Sequence, residues 1–311
     1  MFGVIYLEMI SRSMAKKQHK IFKRQNGSAM QQLIVAQHYT YTNAKRWCFI
    51  LFCILVVFPI GINIALFFDL PDIVTGILAL SSLVLLILGE IIRDHVQCQK
   101  QRAAMLQQKF DTYVFNIVNQ YGIDENIIAE QLEKYKNKDW NRKQDWYQNY
   151  ESMQDEKAVF YCQKENIDWT NAISKKYCGF LLMSLTVILI SFIVNFIIHN
   201  SSFIRVISII LAMVPLVSYG ISSYKKIKHD NYEMAKIKGF INEIDNDLNT
   251  MNELELENKI NVLQAMIYGF RQTKYLIPDW FENIYHKRRQ AIETRKARNH
   301  IVADKKRNDK T

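Results

Sequence analysis

Glu90 follows a run without charge, IVTGILALSSLVLLILG at 73–89, and a carboxylate there has two chemical uses. It can line or gate a cation path, or it can hold a helix end at the water interface beside Arg93. Arg205 poses the same choice near the opposite end of another apolar stretch. Ionised groups deep in a bilayer cost several kcal/mol, so polar residues in such stretches face a bundle interior, a water path or the interface. Besides Ser81, Ser82, Ser184, Thr186, Ser191, Ser208 and Ser218, this leaves Asn63, Glu90, Asn195 and Arg205 as pore or gate candidates. Interfacial anchoring is the competing reading for Glu90 and Arg205.

Other chemistry is not signalled. The chain contains no phosphate-cradling glycine loop, dinucleotide fingerprint, HExxH or GxSxG, and it has only 10 glycines in 311 residues. Its histidines, at 19, 38, 95, 199, 229, 286 and 300, never recur at metal-ligand spacing, so neither a catalytic residue nor a bound metal or cofactor is expected. The five cysteines (Cys48, Cys53, Cys98, Cys162, Cys178) have no paired spacing and read as reduced, apolar fillers.

The elements that carry these residues follow from hydropathy. Four apolar stretches, 47–68, 73–92, 177–198 and 203–224, match the roughly 20 residues a helix needs to cross about 30 Å of hydrocarbon. Continuous apolarity without alternation selects helix over barrel strand. The expected fold is an all-α membrane protein with four transmembrane helices in two short hairpins. DLPD at 69–72 and HNSS at 199–202 form the turns, while Lys45, Arg46, Arg93, Lys175, Lys176, Lys225, Lys226 and Lys228 flank the other side. The positive-inside bias then puts both termini and residues 93–176 in the cytoplasm. The first twenty residues do not read as a signal peptide, since Glu8 interrupts a short apolar patch and the basic residues follow it.

The cytoplasmic parts read as helical. Residues 1–46 hold an amphipathic helix, with Met30, Leu33, Ile34, Gln37, Tyr41 and Ala44 on one face running into the first span. Residues 93–176 carry 13 basic and 13 acidic residues and form a small helical domain in which Ala103, Leu106, Phe110 and Ile117 continue the period of the second span. After the fourth span, residues 225–286 are C-terminal helices. Their stripe Ile237, Ile241, Ile244, Leu248, Met251, Leu254 resumes out of phase at Ile260, Leu263, Ile267 and Phe270, which predicts a long helix with a stutter or kink near Asn252–Glu257. The basic tail, 287–311, holds 10 basic and 3 acidic residues. It reads as a solvated end, as a segment drawn to an anionic inner leaflet, or as a weaker case for nucleic-acid contact, for which no recognition module is present.

An ordered set of short motifs runs across these elements. Arg24-Gln25-Asn26, Ala36-Gln37, Tyr41 and Ala44-Lys45 precede the first span; Gln108 and Phe110-Asp111 follow the second; Asp145-Trp146-Tyr147, Cys162-Gln163, Asn166 and Trp169 precede the third; Ile277-Pro278-Asp279-Trp280-Phe281 lies near the end. In order and spacing, over roughly residues 21–295, the chain resembles the SMODS-associating four-transmembrane effector family. His38 and Lys164 stand where that pattern expects arginine, and Ile277 where it expects valine.

The resemblance implies a membrane effector of bacterial anti-phage signalling. A cyclase makes a cyclic di- or trinucleotide on infection, and the effector, as a homo-oligomer in the inner membrane, assembles or opens to permeabilise it. The resemblance does not place the ligand pocket. A cyclic nucleotide needs cations for its phosphates and flat side chains for its bases. Arg24, Arg102, Trp146, Tyr147, Trp169, Trp280 and Arg288 offer both, and Gln25, Asn26, Gln163, Asn166 and Asp279 offer hydrogen bonds. Each also has a structural reading: packing for the aromatic residues, surface pairing for the cations, capping or buried hydrogen bonding for the rest. No nucleic-acid polymer is expected as a partner. The competing functions are a non-catalytic membrane scaffold that recruits cytoplasmic proteins, and a constitutive ion channel.

Overall fold

A computed structural model describes residues 21–68, 70–117, 122–150, 153–198 and 203–308. The N-terminal twenty residues, read above as lacking a signal peptide, and the turn at 199–202 lie outside the described residues. Among the described residues the chain is helical: α1 is Ile21–Gln25, α2 Ser28–Ala65, α3 Asp72–Phe115, α4 Glu125–Tyr135, α5 Asp155–Ile198, α6 Phe203–Asp247, α7 Glu253–Thr273 and α8 Asp279–Asn308.

Four of these, α2, α3, α5 and α6, are long and apolar enough to cross a membrane. At 1.5 Å per residue, the 44 residues of α3 span about 66 Å, twice the hydrocarbon thickness. Each therefore continues beyond its apolar stretch as one unbroken rod of polar and apolar faces. One cluster of buried residues, including Leu55, Leu185, Phe192, Ile209 and Leu216, joins the apolar halves. Another, including Ile34, Phe110, Phe160, Ile244 and Leu263, joins the polar halves with α1, α4 and α7. The outward faces of the apolar halves, such as Ile73, Ile77, Leu80, Ile87, Val187 and Ile197, carry large aliphatic groups that suit lipid tails.

Local chemistry sets the element ends. Pro71 precedes α3, and the helix stops at Asn116 in the left-handed conformation (φ 57°). Asp124 caps α4 by accepting from the Asn126 and Ile127 amides, and Asn252 caps α7 by accepting from Glu255 at 2.8 Å. That second cap explains a departure from expectation. The apolar stripe of residues 237–270 does not continue through a stutter; the chain reverses at 248–252, and α7 returns along α6 with Lys259 paired to Glu243 at 2.8 Å. Ile237, Ile241 and Ile244 thus join Ile260, Leu263 and Ile267 in one core, and Leu254 is left exposed.

The C-terminal residues differ from a solvated tail. Residues 287–308 continue α8, which runs antiparallel to α5. Phe281 packs on Tyr177, Lys176 lies over the Tyr285 ring at 4.1 Å, Lys296 pairs with Asp168 at 2.8 Å, and His300 meets Tyr161. Opposite charges spaced along two facing helices hold this register.

Two prolines disturb the spans, and the structure accommodates both. Pro59 follows a π-helical turn, Cys53–Val57, in which Phe58 donates to Cys53, five residues back. The wider turn gives room for the proline ring where an ordinary helix would press it on the Leu55 carbonyl. Leu55 then packs directly on Gly89 of α3, where an added Cβ would lie 3.1 Å from its side chain. In α6, Pro215 deprives the Leu211 carbonyl of its helical donor. Ser82, fully buried on α3, donates its hydroxyl to that carbonyl at 3.0 Å, sharing the proton with Ala79 at 2.6 Å.

This pairing predicts a non-additive effect. Ser82→Ala is expected to cost about 1 kcal/mol beside Pro215 and close to nothing beside Pro215→Ala, where residue 215 donates to Leu211 itself. Thermal unfolding of the four proteins of this cycle in one detergent measures the difference. Equal losses in both backgrounds would contradict the assignment.

Candidate functional site

The polar residues of the scattered motifs converge inside the polar halves of the long helices. Asp111 on α3 is fully buried, and the Arg271 guanidinium on α7 reaches its Oδ2 at 2.5 Å. The Tyr147 hydroxyl donates to Oδ1 at 2.7 Å, and Gln264 donates to Oδ2 at 3.2 Å and to Gln108 Oε1 at 2.7 Å. Gln163 on α5 extends the chain by donating to Gln264 at 3.0 Å and to the Ile260 carbonyl. Removing both charges from water costs several kcal/mol per ion, and the added hydrogen bonds offset that cost by satisfying the carboxylate on both oxygens. Burial alone pushes the Arg271 guanidinium down, but Asp111, Tyr147 and Tyr41 together hold its pKa above the ordinary value. Burial, reinforced by Asp111, pushes the Tyr147 phenol well up, so it remains a donor.

The segment that brings Tyr147 in is pinned by α1. Gln25 accepts from the Tyr147 amide at 2.8 Å and donates to its carbonyl at 3.1 Å, a two-point clamp on the backbone of one residue. Asn26 accepts from the Asp145 amide at 3.1 Å and donates to the Asp145 carboxylate at 2.9 Å, where the backbone has a φ of 50°. Arg24 donates to the Val114 carbonyl near the end of α3. Gln25, Asn26, Tyr147 and Gln163 are thus brought together by the fold in one hydrogen-bonded assembly with Asp111.

The remaining ligand candidates are dispersed. Arg102 pairs with Glu130 at 3.1 Å on the surface. Trp146 is half-buried against Trp140, which stacks on His38 at 4.0 Å. Asn166 is half-buried, its carbonyl accepting from Thr170, and Arg288 is exposed on α8. The Trp169 side chain lies outside the described residues. Asp279 pairs with Lys45 at 2.5 Å, and Trp280 is half-exposed with its edge against Phe180.

Asp279 belongs to the second feature of the site, the non-helical connector 274–278 between α7 and α8. Lys100, buried on α3, donates to the Thr273 and Lys274 carbonyls, each at 3.2 Å, at the negative end of α7. Burial, aided by Lys226, pushes its ammonium pKa down to about 8. Gln97 donates to the Gln272 carbonyl at 3.0 Å, and Asp230 on α6 accepts from the Tyr275 amide while pairing with Lys226. Ile277 and Phe281 then enter the apolar cluster of the spans. The connector therefore touches the polar network through Arg271 and the spans through Ile277.

Among the span residues, Asn195 donates to both the carbonyl and the side-chain oxygen of Asn63 at 2.8 Å, joining α2 to α5 inside the bundle. Glu90 pairs with Arg93 on its own helix, and Arg205 reaches the Phe68 carbonyl at 3.4 Å. Among the described residues no group of three or more His, Cys, Asp or Glu side chains is placed to hold a metal ion.

Arg271, Gln264 and Lys100 were not singled out from sequence. Gln264 and Arg271 are seven residues apart on the face carrying Ile260, Leu263 and Ile267, so polar groups inside an apolar stripe were the available signal.

Breaking the pair on one side should be severe. Asp111→Asn is expected to cost about 3–5 kcal/mol, because the guanidinium stays buried without a counter-charge, whereas Arg102→Gln on the surface should cost about 0.5 kcal/mol or less. Denaturation in detergent compares the two; similar small losses would show that the network is not a structural keystone.

No curated protein and no solved structure is detectably similar to the chain. The sequence does match the SMODS-associating 4TM effector domain over residues 19–300, the stretch that holds the buried network, the connector and all four membrane-length helices. The chain is a multi-pass membrane protein that belongs to the SMODS-associating 4TM effector family.

Proposed function

We propose that the protein is a membrane effector activated by a cyclic di- or trinucleotide, which oligomerises or opens to permeabilise the bacterial inner membrane during anti-phage defence. Its family membership supports the link to a cyclase system. In this reading the spans form two short hairpins, and both termini and residues 93–176 are cytoplasmic. Basic residues at every inner flank and the shared packing of α1, α4 and α7 with the polar halves of the long helices support that orientation.

The observation that carries the reading is continuity. α3 bears both Glu90 and Asp111 on one helix of 44 residues, and α7 leads from Arg271 through the connector into the apolar cluster. A ligand that binds the cytoplasmic helices differently in two states can therefore bias the arrangement of the spans. Asn63, Asn195, Glu90 and Arg205 are the span residues available to a path assembled from several protomers. Most of the apolar stripe at 237–270, which motivated a scaffold, is covered within the chain, with Leu254 left exposed.

Purified protein in anionic liposomes is expected to release a trapped dye when one member of a cyclic di- and trinucleotide panel is added, and to be tight without it. Leakage indifferent to the whole panel would count decisively against the reading. Glu90→Gln is expected to leave ligand binding intact and to change the dose needed for half-maximal leakage by several-fold; an unchanged dose would return Glu90 to interfacial anchoring.

A further inference from the structure

α8 leaves the connector at the level where α5 enters its apolar stretch, and its first two turns turn large apolar side chains outward. Trp280 and Ile284, one helical turn apart, are 53% and 64% exposed. The Trp280 ring stands edge-on to Phe180 of α5, with centroids 5.6 Å apart. Phe180 is itself exposed and begins the outward face that continues through Met183, Val187 and Ile190 along the span. Trp280 and Ile284 therefore prolong the lipid-facing surface of α5 onto α8. Phe281 turns the other way, against Tyr177 and into the cluster among the spans. Cations border the strip: Lys175 and Lys176 are exposed on α5, Lys176 lies over the Tyr285 ring at 4.1 Å, and Arg288 is exposed one turn beyond Ile284. The acids of the same turn, Asp279 and Glu282, are paired with Lys45.

We propose that the start of α8 is seated in the interface of an anionic lipid leaflet, with Trp280 and Ile284 among the glycerol and upper acyl groups and Lys175, Lys176 and Arg288 at the phosphates. An indole has an apolar body and one N–H donor, which suits that layer, and the long stems of Lys and Arg let their charges reach the headgroups. The register of α8 on α5 keeps the far end of the basic segment away from the same lipids. Lys296 pairs with Asp168 at 2.8 Å, and Asp304 pairs with Lys157 at 3.5 Å. At 1.5 Å per residue, Asp168 and Lys157 lie about 14 and 30 Å along α5 from Tyr177, where the apolar stretch begins. The leaflet potential decays over a Debye length of about 8 Å, so the exposed Lys305 and Lys306 beyond Asp304 are out of its range. Leaflet charge is thus read by the first turns of α8, next to the connector whose Ile277 enters the span cluster. The inference needs only the membrane location and is independent of any messenger.

The test is tryptophan quenching in the full-length protein, held in nanodiscs whose lipids carry bromine on the acyl chains near the glycerol. The emission of wild type less that of Trp280→Phe isolates Trp280. The emission added by Ile284→Trp, at an exposed position, gives an independent reading one turn further on. Two equimolar mixtures are compared, brominated phosphatidylglycerol in plain phosphatidylcholine and brominated phosphatidylcholine in plain phosphatidylglycerol. Both signals are expected to be quenched in both mixtures, and roughly twofold or more by the brominated anionic lipid relative to the brominated neutral one. Lys175→Gln combined with Arg288→Gln should bring that ratio close to one, while Lys305→Gln combined with Lys306→Gln should leave it unchanged. Absence of quenching at both positions would place the start of α8 outside the bilayer and overturn the proposal. Equal quenching by the two lipids in wild type would remove the anionic leaflet as its occupant. A preference lost only in the Lys305 and Lys306 double variant would transfer lipid recognition to the far end of α8 and overturn it as well.

Discussion

The buried pair of Asp111 and Arg271 is the constraint on which the helices outside the apolar bundle depend. A carboxylate and a guanidinium removed from water are tolerated only with close geometry and further hydrogen bonds. Those bonds come from Tyr147 and Gln264, and through them from Gln163, Gln108 and Gln25. Each partner arrives from a different element, so satisfying one carboxylate fixes α1, the 140s segment, α3, α5 and α7 relative to one another. An apolar core alone would leave the sliding of long parallel rods poorly determined; the directional bonds set their register.

In the membrane half the same rule acts on the backbone. Lipid offers no donors, so the carbonyl freed by Pro215 must find one within the protein, and Ser82 supplies it. Asn195 likewise donates its side-chain amide to Asn63 within the bundle. Packing between spans is otherwise aliphatic, with close approach where Gly89 meets Leu55. The bundle is thus tied at a few polar points along α2, α3, α5 and α6, separated by contacts that can slip.

Much of this was legible because it depends on pattern alone. Twenty-residue apolar runs define the spans, and the face Met30, Leu33, Ile34, Tyr41, Ala44 is buried on α2 as its spacing requires. What sequence could not supply was pairing across distance. Arg271 lies 160 positions from Asp111, and no local feature announces that a cation in an apolar stripe has a carboxylate waiting. The reversal at 248–252 was misread as a stutter because a phase shift in periodicity looks alike whether the helix continues or folds back. The helical course of α8 was hidden by composition, since Lys296, one of the charges that suggested a solvated end, pairs with Asp168 on α5. For the candidate ligand residues, the sequence named types suited to a nucleotide, and the fold gathered Gln25, Asn26, Tyr147 and Gln163 while dispersing Arg102, Trp280 and Arg288.

In the proposed mechanism an event in the polar halves of the long helices reaches the spans through the connector. Ile277, where the connector enters the apolar cluster, makes no contact with the buried ion pair and is buried among span residues. The most direct measurement is messenger occupancy and dye release recorded on the same proteoliposomes for wild type and Ile277→Ala. Coupling through the connector predicts superimposable occupancy curves and release reduced at least tenfold in the variant. Equal release at equal occupancy would contradict it.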